Sequence, residues 1–277
     1  MIRASFVGTR VGRFGLAVRS AAELLHATFL DLESIGTLAN DHLAARLVTR
    51  LCLPGKGFID VGAHIGSIIA AVIEHDSSIR LYAVEPMAEK VAHLRRRFPS
   101  VEVHQCALGD GYGEVPFFVN PRASGYSSLL ASANAEETFR VTVSLKPLDG
   151  IMTSDDIDVI KIDVEGAELG VLRGGNDLIV KNRPAILFES GALHNDDATR
   201  AAESIWLWLQ DRNFDIVVPN RLAHNGPGLS LDGFLESHHY PRRTTNYFAI
   251  PRERRVEIRD RAREILRIVA ARPRGSA

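Results

Sequence analysis

The chain has 277 residues, of which 45% are hydrophobic and 24% are charged, and its formal net charge is -1 at pH 7. This length suits one large α/β domain with extra segments or two small domains, and the balanced charge gives no overall reason to expect a nucleic-acid partner. The two cysteines, Cys52 and Cys106, are too few for a disulfide framework or a zinc site. There is no apolar run of about 18 residues, and Arg and Gly interrupt the apolar residues near the amino terminus. We therefore expect a cytoplasmic protein without a membrane span or a signal peptide.

The first predicted elements are helical. Residues 20–53 carry apolar side chains at helical spacing, in two stripes. The stripes comprise Leu24, Leu25, Thr28, Phe29 and Leu32, followed by Leu43, Leu47 and Leu51. The Pro54-Gly55 break ends this pattern. We interpret residues 1–53 as an amino-terminal helical segment, with a role as a substrate cap as a hypothesis.

Residues 54–251 alternate short apolar strands with helices. The pattern predicts strands at 58–61, 80–84, 101–104, 157–162, 185–188, 214–218 and 247–250. It predicts helices at 67–74, 87–98, 167–172 and 201–210. Buried strands that alternate with helices indicate βαβ crossovers, and so an α/β domain with a mainly parallel sheet.

One stretch departs from this alternation. Residues 114–119 and 139–145 are strand-like, and 124–135 lie between them. We interpret this stretch as an inserted β-hairpin with a long loop, and such a loop in a compact domain is usually functional. The hypothesis is a flap over the cofactor or the acceptor.

The carboxyl-terminal segment, residues 252–277, is rich in arginine. Residues 252–274 hold nine arginines interleaved with four acidic residues. An apolar face recurs at helical spacing, formed by Ile258, Ala262, Ile265 and Val269. This patterning favours a solvated helix docked on the domain, while a membrane-surface or subunit-contact helix is the alternative.

A glycine-rich turn follows the first strand of the α/β region. Gly62 and Gly66 lie between this strand and the next helix, which is the nucleotide-binding arrangement of doubly wound folds. Glu85, at the end of the second strand, is suitably placed to accept hydrogen bonds from ribose hydroxyls. A tight strand-to-helix connection is the alternative explanation of the glycines alone.

Asp60 decides between two kinds of cofactor. A dinucleotide would bring its pyrophosphate to the start of the helix, where the Asp60 carboxylate would repel it. S-adenosylmethionine has no phosphate and carries a sulfonium and an ammonium group, so an anion beside it is favourable. The third glycine of the dinucleotide fingerprint is also absent. The sequence favours a methyl donor over a nicotinamide cofactor.

Several separated motifs together resemble the FkbM family of methyltransferases. They are residues 60–66 (DVGAHIG), Glu85-Pro86, residues 107–110 (ALGD), residues 127–129 (SSL), residues 160–168 (IKIDVEGAE), residues 172–175 (LRGG) and Glu189. The likeness extends from about residue 54 to 191. Where the family usually has asparagine, this chain has His64.

The resemblance implies a Rossmann-like three-layer αβα fold with a seven-stranded sheet, and S-adenosyl-L-methionine as the cofactor. It also implies methyl transfer, usually to a hydroxyl of a sugar, polyketide or other secondary metabolite. The candidate cofactor-binding residues are Asp60, Gly62, Ala63, His64, Gly66, Glu85, Pro86, Ala107, Leu108, Ser128 and Asp163.

The candidate catalytic residues are Asp163, Glu189 and His194. Asp163 follows the buried strand 157–162, at the sheet edge where open α/β sheets bind ligands, and Glu189 closes the next strand. A helix cap is the alternative role for Asp163, and Glu165 and Glu168 would favour the same helix start. Asp163 and Glu189 could share a magnesium ion, but two carboxylates are too few for a site, so we predict a metal-independent enzyme.

Three other functions remain as alternatives. A nicotinamide-dependent oxidoreductase is disfavoured by Asp60, and a non-catalytic binding domain by the intact acidic residues. An RNA methyltransferase is disfavoured by the balanced charge, although the arginine-rich terminus keeps it open. The Asn-Pro-Pro-Tyr element that suits nitrogen acceptors is absent after the fourth strand, so a hydroxyl oxygen is the expected acceptor. Whether the protein is a homo-oligomer is left open.

Overall fold

The computed structural model describes residues 22, 25–30, 32–119, 139–193 and 195–268. Its strands are β1 (Gly57–Val61), β2 (Arg80–Val84), β3 (Glu102–His104), β4 (Ala107–Leu108), β5 (Gly113–Val119), β6 (Phe139–Lys146), β7 (Ile157–Ile162), β8 (Ala185–Glu189), β9 (Phe214–Val217) and β10 (Asn246–Pro251). Its α-helices are α1 (Ile35–Leu51), α2 (Ser67–His75), α3 (Ala88–Arg97), α4 (Glu168–Gly174), α5 (Asn176–Asn182), α6 (Asp196–Asp211), α7 (Leu231–Glu236) and α8 (Arg255–Leu266).

Seven strands form one sheet in the order β3-β2-β1-β7-β8-β10-β9. The first five are parallel, and β10 runs antiparallel to both β8 and β9. The chain moves outward from β1 through β2 to β3 and then crosses back to β7. The carboxyl ends of β1 and β7 therefore border the crevice where ligands of open α/β sheets bind.

The sheet is buried on both faces, which defines three layers. Alternate residues of the central strands enter opposite cores: Phe58 and Val159 pack in one, and Ile59 and Ile160 in the other. The first core includes residues of α1, α2, α3 and α8, and the second includes residues of α4, α5, α6 and α7. The predicted Rossmann-like αβα fold with a mainly parallel seven-stranded sheet is confirmed.

The predicted inserted strands form a separate small sheet. β5 and β6 pair antiparallel from Gly113–Leu145 to Val119–Phe139, and β4 adds a third, parallel strand against β6. The predicted flap, residues 124–135, and Ser128 within it lie outside the described residues.

In the described part of the amino-terminal segment, residues 25–30 and 35–51 are helical, and the two predicted stripes differ in burial. Leu47 and Leu51 of α1 are fully buried in the first core. In contrast Leu25, Phe29 and Leu32 are 59%, 77% and 68% exposed. Helical spacing shows which side chains share a face, but whether that face meets a partner depends on the rest of the fold.

The carboxyl-terminal helix α8 is docked on the domain, in agreement with the favoured interpretation. Ile258 and Ala262 are fully buried in the first core. Val269, the last member of the predicted apolar face, lies outside the described residues. Among the helices that the structure describes, none is long and apolar enough to cross a membrane.

Two helices, α5 and α7, were not predicted, and several predicted boundaries differ by a few residues. Gly175 alone separates α4 from α5, and both helices are too short for a clear apolar period. Helix α6 begins at Asp196 rather than 201, because the Asn195 side chain accepts a 2.8 Å hydrogen bond from the Ala198 amide.

Candidate cofactor and acceptor site

A cavity opens at the carboxyl edge of β1, β2 and β7, at the position that the sheet order indicates. Glycine, apolar and charged residues from five segments of the chain line it. They are Val61, Gly62, His64, Val84, Glu85, Pro86, Lys90, Cys106, Ala107, Leu108, Phe117, Asp163, Val164 and Glu165.

Gly62 is the point where the glycine-rich turn touches the neighbouring strand. Its φ is +79°, and a Cβ there would lie 1.9 Å from the Asp163 carbonyl oxygen. The amides of Gly62 and Ala63 both donate to the Val84 carbonyl. The turn is thus held against both β7 and β2, and only glycine fits at its start.

Gly66 is required for a different reason than the one that the sequence suggested. A Cβ on Gly66 would lie 2.5 Å from the Phe98 ring and 2.8 Å from a Leu94 methyl group. The space is therefore filled by the protein's own helix α3 and not by a ligand. Ala63 is likewise buried in the first core, and neither residue lines the cavity.

Glu85 is buried beside the turn and lines the cavity. Its Oε2 accepts from the His64 amide and its Oε1 from the Met87 amide, each at 3.0 Å, and Lys90 Nζ lies 3.9 Å from Oε1. Burial raises the pKa of this carboxyl, while the Lys90 ammonium opposes the rise. The backbone amides fix the carboxylate, whose remaining lone pairs can accept further hydrogen bonds.

His64 occupies the left-handed region of the backbone, with φ +50°. Asparagine, the residue usual in the resembling family, tolerates this conformation better than most side chains. Burial, followed by the Lys90 charge, lowers the pKa of His64 to about 4, so the imidazole is neutral at pH 7.

Asp60 lies beneath the cavity and does not line it. It is 1% exposed, and its Oδ1 is 3.3 Å from Lys161 Nζ. The same ammonium lies 3.1 Å from Oδ2 of Asp163. Lys161 therefore bridges the two aspartates, and although burial lowers its pKa, the two carboxylates together hold that pKa above its ordinary value.

A group of three carboxylates lies at the β7 and β8 ends of the site. The oxygens of Asp163, Glu165 and Glu189 are within 4.8 Å of one another. A side-chain hydrogen bond joins Asp163 and Glu189. We refer to these three residues as the acidic cluster.

The protons of the acidic cluster are unevenly distributed. Burial and the hydrogen-bonded Asp163 raise the pKa of Glu189 to about 9. Burial also acts to raise the pKa of Asp163, but Lys161 and the Glu189 hydrogen bond together hold it below its usual value. At neutral pH the Glu189 carboxylic acid thus donates to the ionised Asp163, as expected when like charges share a buried site.

The structure does not bring all predicted residues to the cavity. Gly62, His64, Glu85, Pro86, Ala107, Leu108 and Asp163 line it. Glu189 does not line the cavity, but one of its oxygens lies within 4.8 Å of oxygens of the lining residues Asp163 and Glu165. His194 and Ser128 lie outside the described residues.

Seven lining residues were not among the candidates, namely Val61, Val84, Lys90, Cys106, Phe117, Val164 and Glu165. Lys90 comes from α3, Phe117 from the inserted β5, and Val164 and Glu165 from the turn after β7. Of these four, only Glu165 could have been recognised as a candidate from the sequence, since it stands two residues beyond Asp163 in the motif. Lys90 and Phe117 enter the cavity through packing that no local pattern indicates.

Comparison with known proteins agrees with this fold. Residues 60–216 match the family model described as the methyltransferase FkbM domain. Methyltransferase sdnD from Sordaria araneosa is 25% identical over 246 residues, which cover 73% of this chain and 92% of that protein. Methyltransferase 1 from Beauveria bassiana (strain ARSEF 2860) is 27% identical over 150 residues, or 45% of this chain and 60% of the relative.

Among solved structures, the methyltransferase FkbM from Methylobacillus flagellatus KT has 21% sequence identity and a TM-score of 0.46. The match covers 71% of this chain and 43% of that one. This chain thus spans less than half of that structure and less than two thirds of the second relative.

The family model matches more than half of the chain, so the chain belongs to the FkbM methyltransferase domain family. The protein is a methyltransferase, and its cofactor is S-adenosylmethionine. The cavity fits this group, since the carboxylates of Glu85, Asp163 and Glu165 line it. Such a lining suits a sulfonium and an ammonium and would repel a pyrophosphate.

Proposed function

We propose that the protein transfers the methyl group of S-adenosylmethionine to a hydroxyl oxygen of a small molecule, such as a sugar or a secondary metabolite. The observation that carries this proposal is the acidic cluster beside the cofactor cavity. A hydroxyl must lose its proton when its oxygen is methylated, and carboxylates near the reacting atoms can take that proton. When bound, the cofactor supplies an activated methyl group.

Different cavity residues would bind different parts of the cofactor. Glu85 would accept hydrogen bonds from the ribose hydroxyls, since its carboxylate is fixed at the cavity wall. Ala107 and Leu108, with Pro86 and Phe117, would contact the adenine through their apolar surfaces.

The glycine-rich turn would hold the charged amino-acid end of the cofactor. Gly62 and His64 line the cavity there, while Asp60, Ala63 and Gly66 support the turn from below. Asp60 acts through Lys161, which it pairs with, and Lys161 in turn positions Asp163.

Asp163 and Glu189 are proposed to hold the acceptor. The ionised Asp163 can accept a hydrogen bond from a second polar group of the acceptor, and Glu189 keeps Asp163 oriented through the shared proton. Because both side chains follow buried strands, their positions are well defined, and orientation of this kind can supply much of the rate.

We also propose that the amino-terminal helical segment covers the acceptor side. Asn246 pairs with Glu189 across β10 and β8, so the loop before β10 lies at that edge. Asp41 of α1 accepts hydrogen bonds from Thr244, Thr245 and Asn246 in this loop. Asp41 of α1 is thereby linked to the residue that pairs with Glu189, which supports this proposal.

Calorimetry separates this proposal from the oxidoreductase alternative. S-adenosylmethionine should bind and NAD should not, and Glu85→Gln should weaken binding by about tenfold, because a charged hydrogen-bond acceptor is lost. The control is Glu102→Gln on β3, which pairs with His104 away from the cavity and should bind normally. Tight NAD binding would contradict the proposal.

The acceptor is found by incubating the protein with labelled donor and a small-molecule extract. Mass spectrometry of the labelled product should locate the methyl group on an oxygen. A product methylated on nitrogen or carbon would overturn the oxygen assignment while leaving the donor assignment intact.

A further inference from the structure

Glu165 has a backbone conformation that other residues rarely adopt. Its φ is +55°, and it is followed by Gly166 with φ +102°. A non-glycine residue in this region costs of order 1 kcal/mol, and such residues concentrate at functional sites. The turn after β7 therefore holds the Glu165 side chain in place at the cavity, which it lines together with Asp163 and Val164.

The helix-start role that the sequence suggested for Glu165 is filled by a neighbour. Glu168 is buried, and its Oε1 accepts a 3.0 Å hydrogen bond from the Gly166 amide. A carboxylate other than Glu165 therefore already stabilises the start of α4.

The other two carboxylates of the acidic cluster are poorly suited to take a proton. Asp163 is paired with Lys161 at 3.1 Å, which makes it a weak base. Glu189 already carries the proton of its hydrogen bond to Asp163. Glu165 lies within 4.8 Å of both, at the same edge of the cavity.

The charges that face Glu165 set its basicity. Burial, followed by the negative charges of Asp163 and Glu168, raises the pKa of Glu165 to about 7, and Lys161 opposes the rise. Glu189, the remaining carboxyl in reach, is neutral at this pH. A general base is most effective when its pKa lies near the working pH.

We propose that Glu165 is the general base of the methyl transfer, which rests on the proposed function above. The acceptor oxygen forms a bond to the methyl carbon while the carbon–sulfur bond breaks, and that bond's electron pair stays on sulfur. The hydroxyl proton passes to a carboxylate oxygen of Glu165, which becomes a neutral carboxylic acid. It then releases the proton to solvent.

The kinetic test compares Glu165→Gln with Glu168→Gln, using an acceptor isolated from the extract screen. Glu165→Gln should lower kcat, measured at saturating donor, by about 100-fold or more, because a positioned base contributes this much. Glu168→Gln, which can still accept from Gly166 but removes a charge that raises the pKa of Glu165, should keep most of the rate and lower the pH midpoint of kcat. A Glu165→Gln variant that keeps its full rate would overturn the assignment.

The pH dependence adds a readout that a structural role would not change. With the unaltered protein kcat should rise with pH through a midpoint near 7, because the base must be deprotonated. Glu165→Gln should lose this limb, and Glu165→Asp should retain it at a lower rate. An unchanged limb in Glu165→Gln would count against the proposal.

A titration that needs no acceptor completes the test. Carbon-13 NMR of the glutamate carboxyls, with Glu165→Gln to assign the signal, should give a midpoint near 7. A midpoint near the ordinary value of 4.5 would exclude the role. If the unaltered protein binds the donor but forms no product with any extract, the proposed function itself fails, which is distinct from a fully active Glu165→Gln.

Discussion

Two aspartates at opposite ends of strand β7 have opposite environments. Asp158 lies at the amino end and is 5% exposed, and Asp163 follows the carboxyl end. Asp158 Oδ1 pairs with Arg254 at 2.5 Å, and its Oδ2 pairs with Arg261 at 2.8 Å and accepts from the Leu53 amide at 2.8 Å. Two cations and a backbone donor thus serve one carboxylate.

At the carboxyl end of β7, carboxylates outnumber cations. One cation, Lys161, serves Asp60 and Asp163, and Glu165 and Glu189 crowd against Asp163. Burial, followed by the neighbouring negative charges, raises the pKa values of Glu165 and Glu189, so these carboxyls retain protons more readily than exposed ones.

This difference separates a structural site from a chemical one. The Asp158 pairs join the end of α1, the start of β7 and helix α8, so this charge holds the fold together. The acidic cluster keeps exchangeable protons next to a cavity, at some cost in stability. Strongly shifted pKa values in a cleft are typical of functional sites.

The largest effect is expected from Asp158→Ala. It leaves the partly buried guanidinium groups of Arg254 and Arg261 without this partner, and breaking a buried ion pair in this way costs about 3–5 kcal/mol. Urea unfolding would measure the loss. Asp155→Ala, which removes an exposed pair with Lys181, is the control and should cost less than about 1 kcal/mol. Equal losses of unfolding free energy in Asp158→Ala and Asp155→Ala would contradict the structural role of Asp158.

Asp163→Asn should act on the rate rather than on the fold. It removes the negative charge that Lys161 and Glu189 orient, so methyl transfer should slow by about 100-fold, or 2.7 kcal/mol. Lys161 keeps Asp60 as a partner, so unfolding should change by less than Asp158→Ala changes it. The rate is measured with labelled donor, and a rate within about twofold of the unaltered protein would contradict the proposal.

Glu189→Gln should change how stability depends on pH. The folded-state pKa of Glu189 is raised from 4.5 to about 9, so the folded protein loses stability as pH rises between these values. The slope from one such group is at most about 1.4 kcal/mol per pH unit. Glutamine stays neutral and can still donate to Asp163, so the variant should be more stable than the unaltered protein at pH 8 and about equal at pH 4.5.

Unfolding curves at several pH values test this prediction. If the free energy of unfolding changed with pH in the same way in both proteins, Glu189 would not retain its proton.

The smallest effect is expected from metal removal. Lys161 and the shared proton already offset much of the charge of the acidic cluster, so we predict that a chelator changes the rate by less than about twofold. Activity that disappears with chelator and returns with magnesium would instead make the cluster a metal site.

Much of the fold could be predicted because its signals are local. The strands at β1, β2, β7 and β8 are short, apolar and bounded by turn residues, and the motif after β7 has a fixed spacing. The cavity position also followed, since parallel strands place their carboxyl ends at one edge. Short helices such as α5 lacked a readable period.

The chemistry within the site depended on contacts between distant segments. In the sequence, Lys161 is a single charged residue within an otherwise apolar strand. In the structure it lies opposite Asp60 on the neighbouring β1, and this register makes it the counter-ion that Asp60 and Asp163 share. Asp158 gave no signal, and only the docking of α8 brought Arg254 and Arg261 to it.

The sequence by itself therefore determined the α/β class, the cofactor-binding turn and the family likeness, because each depends on neighbouring residues or fixed spacing. Tertiary structure decided how charge is shared. It gave Asp158 two cations, made Asp60 and Asp163 share one, and brought Glu165 and Glu189 together. The physical reason is that a carboxyl's protonation depends on its burial and on charges within a few ångströms, and folding sets both.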